Sequence, residues 1–168
     1  MSRDPYQILA EQYGEYLPRV LNYMRLRVDD EALAQDLTAQ TFERALTRLH
    51  TLRDESALGG WLFAIARSEI AGYFRRHKPQ MSLEQVSGLG DATSSIEGLT
   101  EKAQEIAALR AALATLSERE QEILRLRFVA GLTNRAIANT MRLRENTVAV
   151  ILYRALRKLK EKLDAQTQ

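Results

Sequence analysis

The 168-residue chain contains no cysteine, which excludes disulfides and thiolate metal sites and gives no sign of an oxidising compartment. Its two histidines, His50 and His77, have no metal-ligand spacing around them. No phosphate-loop glycine pattern, G-x-S-x-G or H-E-x-x-H occurs. Catalysis is therefore not expected, and neither is a cofactor or a bound metal. The longest apolar run, Trp61-Leu62-Phe63-Ala64-Ile65-Ala66, is far short of the ~20 residues of a membrane span. The opening Met1-Ser2-Arg3-Asp4-Pro5 lacks the apolar core of a signal peptide. A cytoplasmic protein without membrane insertion is the expectation.

Prolines (three) and glycines (eight) are also scarce, so the chain has few breaks. What fills it is Leu, Ala, Glu and Arg, all good helix formers, and 45% of residues are apolar, enough for a packed core. The net charge of +2 says little, but Arg outnumbers Lys, a bias that suits phosphate and guanine contacts. The fold class expected is all-α.

Periodicity divides the chain into three segments. Up to residue 78 it is helical: Asp29-Asp30-Glu31 suit a helix start, and Leu33, Leu37, Thr41, Ala45 and Leu49 then step by four beside Ala34, Phe42 and Leu46. Polar residues from His50 and a Gly59-Gly60 pair interrupt the pattern. A further helix is expected from about Trp61, burying Leu62, Ile65, Ala66, Ile70 and Tyr73 or Phe74, and stopped by Pro79. Residues 79–103 read as a linker: glycine and serine are scattered through them, and no Lys or Arg falls between Lys78 and Lys102. Stretched, its run from Pro79 to about Thr100 reaches roughly 70 Å, so two separately placed domains become possible.

The remainder, residues 104–168, is helical again. Ile106, Leu109, Leu113 and Leu116 mark one helix. Ser117 with Glu120 forms a capping-box signature opening a helix through Ile123, Leu124 and Phe128, which Gly131 ends. Thr133 can cap a short helix with Ile137 and Met141, and a last helix buries Val148, Leu152, Leu156, Leu159 and Leu163. A short helix, a tight turn and a longer basic helix describe a helix-turn-helix.

On that last helix the outward stripe becomes Asn146, Ala149, Val150, Tyr153 and Arg157, with Arg142 and Arg144 at its N-terminal end and Arg135 on the helix before. Asn suits adenine, Arg suits guanine or phosphate, and small apolar groups suit thymine methyls. A helical hairpin with solvated arginines is the alternative. The segment Trp61–Lys78 offers Trp61, Arg67, Ser68, Tyr73, Arg75, Arg76 and Lys78: aromatics that can stack on unpaired bases and cations that can hold a backbone. Here the alternative is that Trp61 and Tyr73 are core. Asp36, Gln40, Glu43 and Thr47 form a polar stripe opposite the leucines, wet or covered by a partner helix.

These segments resemble the extracytoplasmic-function (group IV) sigma factors of the bacterial sigma-70 family over nearly the whole chain. Asp36-Leu37-Thr38-Ala39-Gln40-Thr41-Phe42 is similar to the family's D-L-x-x-x-T-F helix, and Trp61-Leu62-Phe63-Ala64-Ile65-Ala66-Arg67 with Tyr73-Phe74-Arg75-Arg76 to its W-L-x-x-I-A-R…RR segment. Leu116–Glu120, Ile123–Phe128, Gly131-Leu132-Thr133 and Ile137-Ala138 resemble region 4, and Tyr153-Arg154-Ala155-Leu156-Arg157-Lys158-Leu159 its H-R-A-x-x-x-L tail.

The resemblance implies a region 2 domain at 1–78, a linker at 79–103 and a region 4 helix-turn-helix at 104–168. It implies that Asp36, Leu37, Gln40, Phe42 and Glu43 bind the β′ coiled coil of core RNA polymerase. Arg53, Trp61, Arg67, Ser68, Tyr73, Arg75, Arg76 and Lys78 would hold the melted −10 element. Arg135, Arg142, Arg144, Asn146, Thr147, Ala149, Val150, Tyr153 and Arg154 would serve the −35 element, with region 4 also gripping the β flap. An anti-sigma factor is the family's common regulator. Ser68 stands where the family usually has Asn, Gly72 where it often has Asp, and Arg142 and Arg144 where it has a turn Gly and a capping Ser. A mid-helix Gly72 costs about 1 kcal/mol and suggests close approach of DNA or of another helix. The competing functions are a stand-alone helix-turn-helix regulator and a sigma-like protein that sequesters a partner.

Overall fold

A computed structural model describes residues 3–78 and 100–167. Among these every regular element is helical. The linker expected at 79–103 falls largely outside the described residues. In chain order the helices are α1 (Pro5–Arg25), α2 (Glu31–Thr47), α3 (Leu58–Arg76), α4 (Glu101–Ala114), α5 (Glu118–Leu124), α6 (Asn134–Met141) and α7 (Glu145–Gln166).

Local chemistry explains most of their starts. Asp4 accepts from the Tyr6 amide ahead of Pro5 at the first helical position, and Asp30 accepts from the Leu33 amide. Ser117 and Glu120 form the expected capping box on α5, and Thr133 caps α6. The α3 start differs from the reading at Trp61. It lies at Leu58, so Gly59 and Gly60 belong to its first turn rather than to the preceding loop. Leu58 is buried and anchors that turn, while Leu49–Thr51 and Glu55–Ala57 form short 3-10 turns before it.

α1, α2 and α3 pack around Tyr23, Met24, Leu37, Leu58, Leu62, Phe63 and Ile70, with Tyr23 edge-on to Phe63. Phe63 is fully buried, and Phe74, an alternative to Tyr73 for the core, is exposed. In the second module Ala112, Leu116, Leu124, Ala155 and Leu159 form one small core. Leu156 is 41% exposed and does not join it, because Ala155 takes the inward position and lets α4 approach α7 closely. Ile106 and Leu109 are likewise exposed on α4. Phe128 turns outward as well: Arg125–Val129 form a π turn, and the extra residue rotates it off the apolar stripe.

The two modules share a core. Ile123, Leu126, Ala130, Leu132, Ile137, Ala138 and Val148 of the second belong to the same apolar cluster as Val20, Tyr23, Leu62 and Phe63 of the first. Separately placed domains were open on sequence grounds; here they are packed together. The two glycines make the approach possible. A Cβ on Gly59 would stand 3.0 Å from Leu132 Cδ2 and from the Tyr16 hydroxyl, and one on Gly60 3.3 Å from Thr140 Oγ1.

Candidate nucleic-acid interface

Trp61 sits in the first turns of α3, half-buried, with its indole N–H donating to Thr51 Oγ1 at 2.8 Å. That bond fixes the ring against the loop and leaves one side facing an open cleft of about 410 Å³ between Arg48, His50, Thr51, Ala64 and Ile65. An aromatic wall beside an exposed arginine suits an unstacked base with its phosphate. From this cleft an exposed stripe runs along α3 through Ala64, Ser68, Ala71 and Arg75 towards Lys78 just beyond the helix, and Arg76 is also exposed. Arg53 is exposed in the loop before the helix.

Two of the expected −10 residues lie elsewhere. Tyr73 is half-buried and stacks on His77 with ring centroids 4.3 Å apart. Arg67 faces the second module. Its Nε donates to Glu122 Oε1 at 2.9 Å and its Nη1 to the Thr140 carbonyl at 3.2 Å. Over Gly72 lies the Arg76 guanidinium of the same helix, 3.0 Å from where a Cβ would be, with the Arg75 guanidinium beside it at 3.6 Å.

On α2, Asp36, Gln40, Glu43 and Thr47 are exposed, whereas Leu37 is 1% exposed and Phe42 is buried. Those two apolar residues therefore support the helix from beneath instead of offering a surface to a partner. Phe42 packs edge-on to Tyr13 at 4.9 Å.

The α7 face is open. Asn146, Ala149, Val150 and Tyr153 are all exposed at helical spacing, Tyr153 at 67%, while Val148 beneath them is fully buried. Arg142, Arg144, Arg154 and Arg157 flank this stripe, exposed, and Thr147 is half-buried. Arg135 stands 3.9 Å from the Glu145 carboxylate, a weak pair between two exposed groups. Arg142 ends α6 in the left-handed region at φ 55°, the conformation that glycine adopts without strain. Arg144 precedes α7 without a side-chain cap.

Sequence reasoning missed the densest polar cluster. The Glu122 side chain is only 5% exposed and is held by four donors. Its Oε1 accepts from the Tyr23 hydroxyl at 2.8 Å and from Arg67, and its Oε2 from Arg27 at 3.1 Å and Arg125 at 2.7 Å. Burial alone would push this carboxyl up; the Tyr23 hydroxyl, Arg125 and Arg27 overrule it and hold it below the usual range. Tyr23 is pushed well above its ordinary value by burial and by the Glu122 charge. The available signal was Glu122 four residues before Leu126, which puts a charge on the apolar stripe of α5.

Comparison with known proteins bears on these two faces. The description "Sigma-70 region 2" matches residues 12–80, and "Sigma-70, region 4" matches residues 106–159. The chain is 32% identical over 150 residues to the ECF RNA polymerase sigma factor BldN of Streptomyces coelicolor, covering 88% of this chain and 57% of BldN. It thus spans little more than half the length of that relative. With the ECF RNA polymerase sigma factor SigM of Bacillus subtilis it shares 25% identity, over 90% of this chain and 93% of SigM. Among solved structures, the sigma factor RpoE of Bartonella quintana, in complex with the anti-sigma factor NepR, has the same fold. Its TM-score is 0.66 at 20% identity, over 93% of this chain and 96% of that one. The chain belongs to the extracytoplasmic-function RNA polymerase sigma factors of the sigma-70 family.

Proposed function

We propose that the chain is a promoter-specificity subunit that binds core RNA polymerase and directs promoter recognition, DNA melting and transcription initiation. The observation that carries this reading is the presence of two nucleic-acid faces of different kinds on one chain. The Trp61 cleft with the α3 stripe suits unpaired, stacked bases, and α7 presents a helix face of the size and chemistry that enters a major groove. A regulator of duplex DNA has no use for the first.

In this reading the domains divide at 1–78, 79–103 and 104–168. Trp61, Arg53, Ser68, Arg75, Arg76 and Lys78 hold the melted −10 strand, joined by Arg67 and Tyr73. Asn146, Ala149, Val150 and Tyr153 meet base edges of the −35 element, while Arg135, Arg142, Arg144 and Arg154 position the duplex. The exposed Asp36, Gln40 and Glu43 stripe on α2 docks the polymerase. The chain contributes binding and no reaction of its own, and it works in the cytoplasm; among the described residues no helix is long and apolar enough to cross a membrane. An anti-sigma factor, the partner in the RpoE complex, is the expected inhibitor.

Run-off transcription with purified core enzyme, over a library randomised at −10 and −35, tests the proposal. Promoter-dependent transcripts that require the chain are expected. Failure with core, combined with tight binding of the free protein to duplex DNA, would identify a stand-alone regulator. Binding to core without promoter opening would identify a sequestering protein.

A further inference from the structure

Reading both promoter elements requires the two faces to stand about two turns of DNA, roughly 70 Å, apart. Here they cannot: Thr140 Oγ1, on the first helix of the helix-turn-helix, donates to the Gly60 carbonyl in the first turn of α3 at 3.2 Å. The packed arrangement is thus a state that must open before a promoter is read.

What closes it is chemically specific. Of the four donors around Glu122, only Arg125 belongs to its own module; Tyr23 lies on α1, Arg27 in the turn that follows it and Arg67 on α3. Taken without Glu122, they are a hydroxyl and two guanidinium groups converging on one anion. Such a set matches the oxygens of a phosphodiester as well as those of a carboxylate. It also borders the proposed −10 face, since Arg67, six residues after Trp61, lies on the neighbouring side of the same helix.

We propose that the contact between the modules is an autoinhibitory latch in which Glu122 occupies a phosphate site formed by Tyr23, Arg27 and Arg67. When the modules part, a phosphate of single-stranded DNA takes that site and extends the α3 face onto α1. The DNA half of this inference rests on the reading of α3 as the −10 helix; the latch itself rests only on the contacts.

The test uses the full chain without polymerase, so failure of run-off transcription would leave its outcome unaffected. Because the chain has no cysteine, labels at Ala32→Cys and Lys162→Cys, both exposed sites, report one distance by spin-label spectroscopy. A single narrow distribution is expected in the wild-type background, shifting to longer distances in Glu122→Gln and on addition of a single-stranded −10 oligonucleotide. Glu122→Gln should bind that oligonucleotide at least five-fold more tightly, and Arg27→Gln in the same chain should abolish the gain. Unchanged distances in Glu122→Gln, or equal oligonucleotide affinity, would overturn the latch.

A second variant covers the case in which Glu122→Gln does not fold. Gly60→Cys with Thr140→Cys places two thiols within bridging reach across the interface. Oxidation should yield an intramolecular disulfide in the free protein, and the oxidised form should bind the oligonucleotide at least five-fold more weakly than the same protein after reduction. Failure to bridge, or equal affinity in the two redox states, would refute the proposal.

Discussion

α3 and α7 carry the two candidate nucleic-acid faces, and they meet solvent differently. α7 offers its whole outward stripe, Asn146 to Tyr153, with no part of the first module upon it. α3 offers only the side from Trp61 to Arg75; a neighbouring side, with Arg67, is engaged by Glu122 and Thr140. A face for intact duplex can stay open, because duplex DNA arrives preformed. A face that holds melted strands is needed only when melting begins, and in this chain part of the face proposed for that role is tied to the module proposed to read duplex.

The largest effect expected from breaking that asymmetry is at Glu122. Glu122→Ala leaves three guanidinium groups and the Tyr23 hydroxyl without their shared acceptor. Because those arginines are partly exposed, the loss should sit near the lower end of the range for broken buried pairs, about 3 kcal/mol. Thermal or denaturant unfolding measures it, and a loss under ~1 kcal/mol would mean that the cluster is effectively solvated.

The same cluster predicts a pH window. Glu122 has a lowered folded-state pKa, so its contribution is present above the ordinary carboxylate range and is lost as pH falls through the lowered value. Tyr23 has a raised one, so its contribution is present below the ordinary tyrosine range and is lost as pH rises towards the raised value. The groups facing the carboxylate are Tyr23, Arg27, Arg67 and Arg125, with Glu118 close to Arg27 and Arg125. The stability difference between wild type and Glu122→Gln should be flat from about pH 5 to 9 and should shrink below about pH 4. A difference that persists in acid would separate it from the Glu122 charge.

Next come the two faces themselves. Trp61→Ala should lower affinity for a single-stranded −10 oligonucleotide by about 1–3 kcal/mol with the fold retained, as followed by fluorescence anisotropy and circular dichroism. An unfolded variant would return Trp61 to the core. Asn146→Ala should cost about 1–3 kcal/mol on a −35 duplex and little on scrambled duplex. Equal losses on both would reduce Asn146 to a phosphate contact and remove the contrast between a reading face and a holding one.

The smallest effect is at Arg142. Arg142→Gly relieves the left-handed backbone but loosens the unfolded chain, so stability should change by less than ~1 kcal/mol. Duplex binding should weaken uniformly across sequences, and the salt dependence of binding should become shallower. A sequence-selective loss would move Arg142 from positioning to base readout.

Much of this was legible locally. Asp30, Ser117 with Glu120, Thr133 and Gly131 act where their chemistry puts them, because caps and left-handed turns involve groups within a few residues. The open stripe on α7 followed from its period of 3.6. The misses share a cause. Leu156 and Ala155 compete for the inward position, and only the approach of α4 decides between them. Gly59 and Gly60 carry no side chain to announce which surface presses on them. Arg67 has the same composition signal whether it waits for DNA or holds a carboxylate.

By itself, then, the sequence determined an all-helical chain, its two modules in order, and the candidate residues for polymerase and promoter contacts. Those follow from short-range periodicity, capping and motif spacing. Only the tertiary structure decided that the modules share a core and that Glu122 reaches Tyr23, 99 residues away in the chain. Such a contact depends on the complementarity of whole surfaces: two glycines thin enough to admit α6, and a buried carboxylate that stays charged only where donors from both modules converge on it.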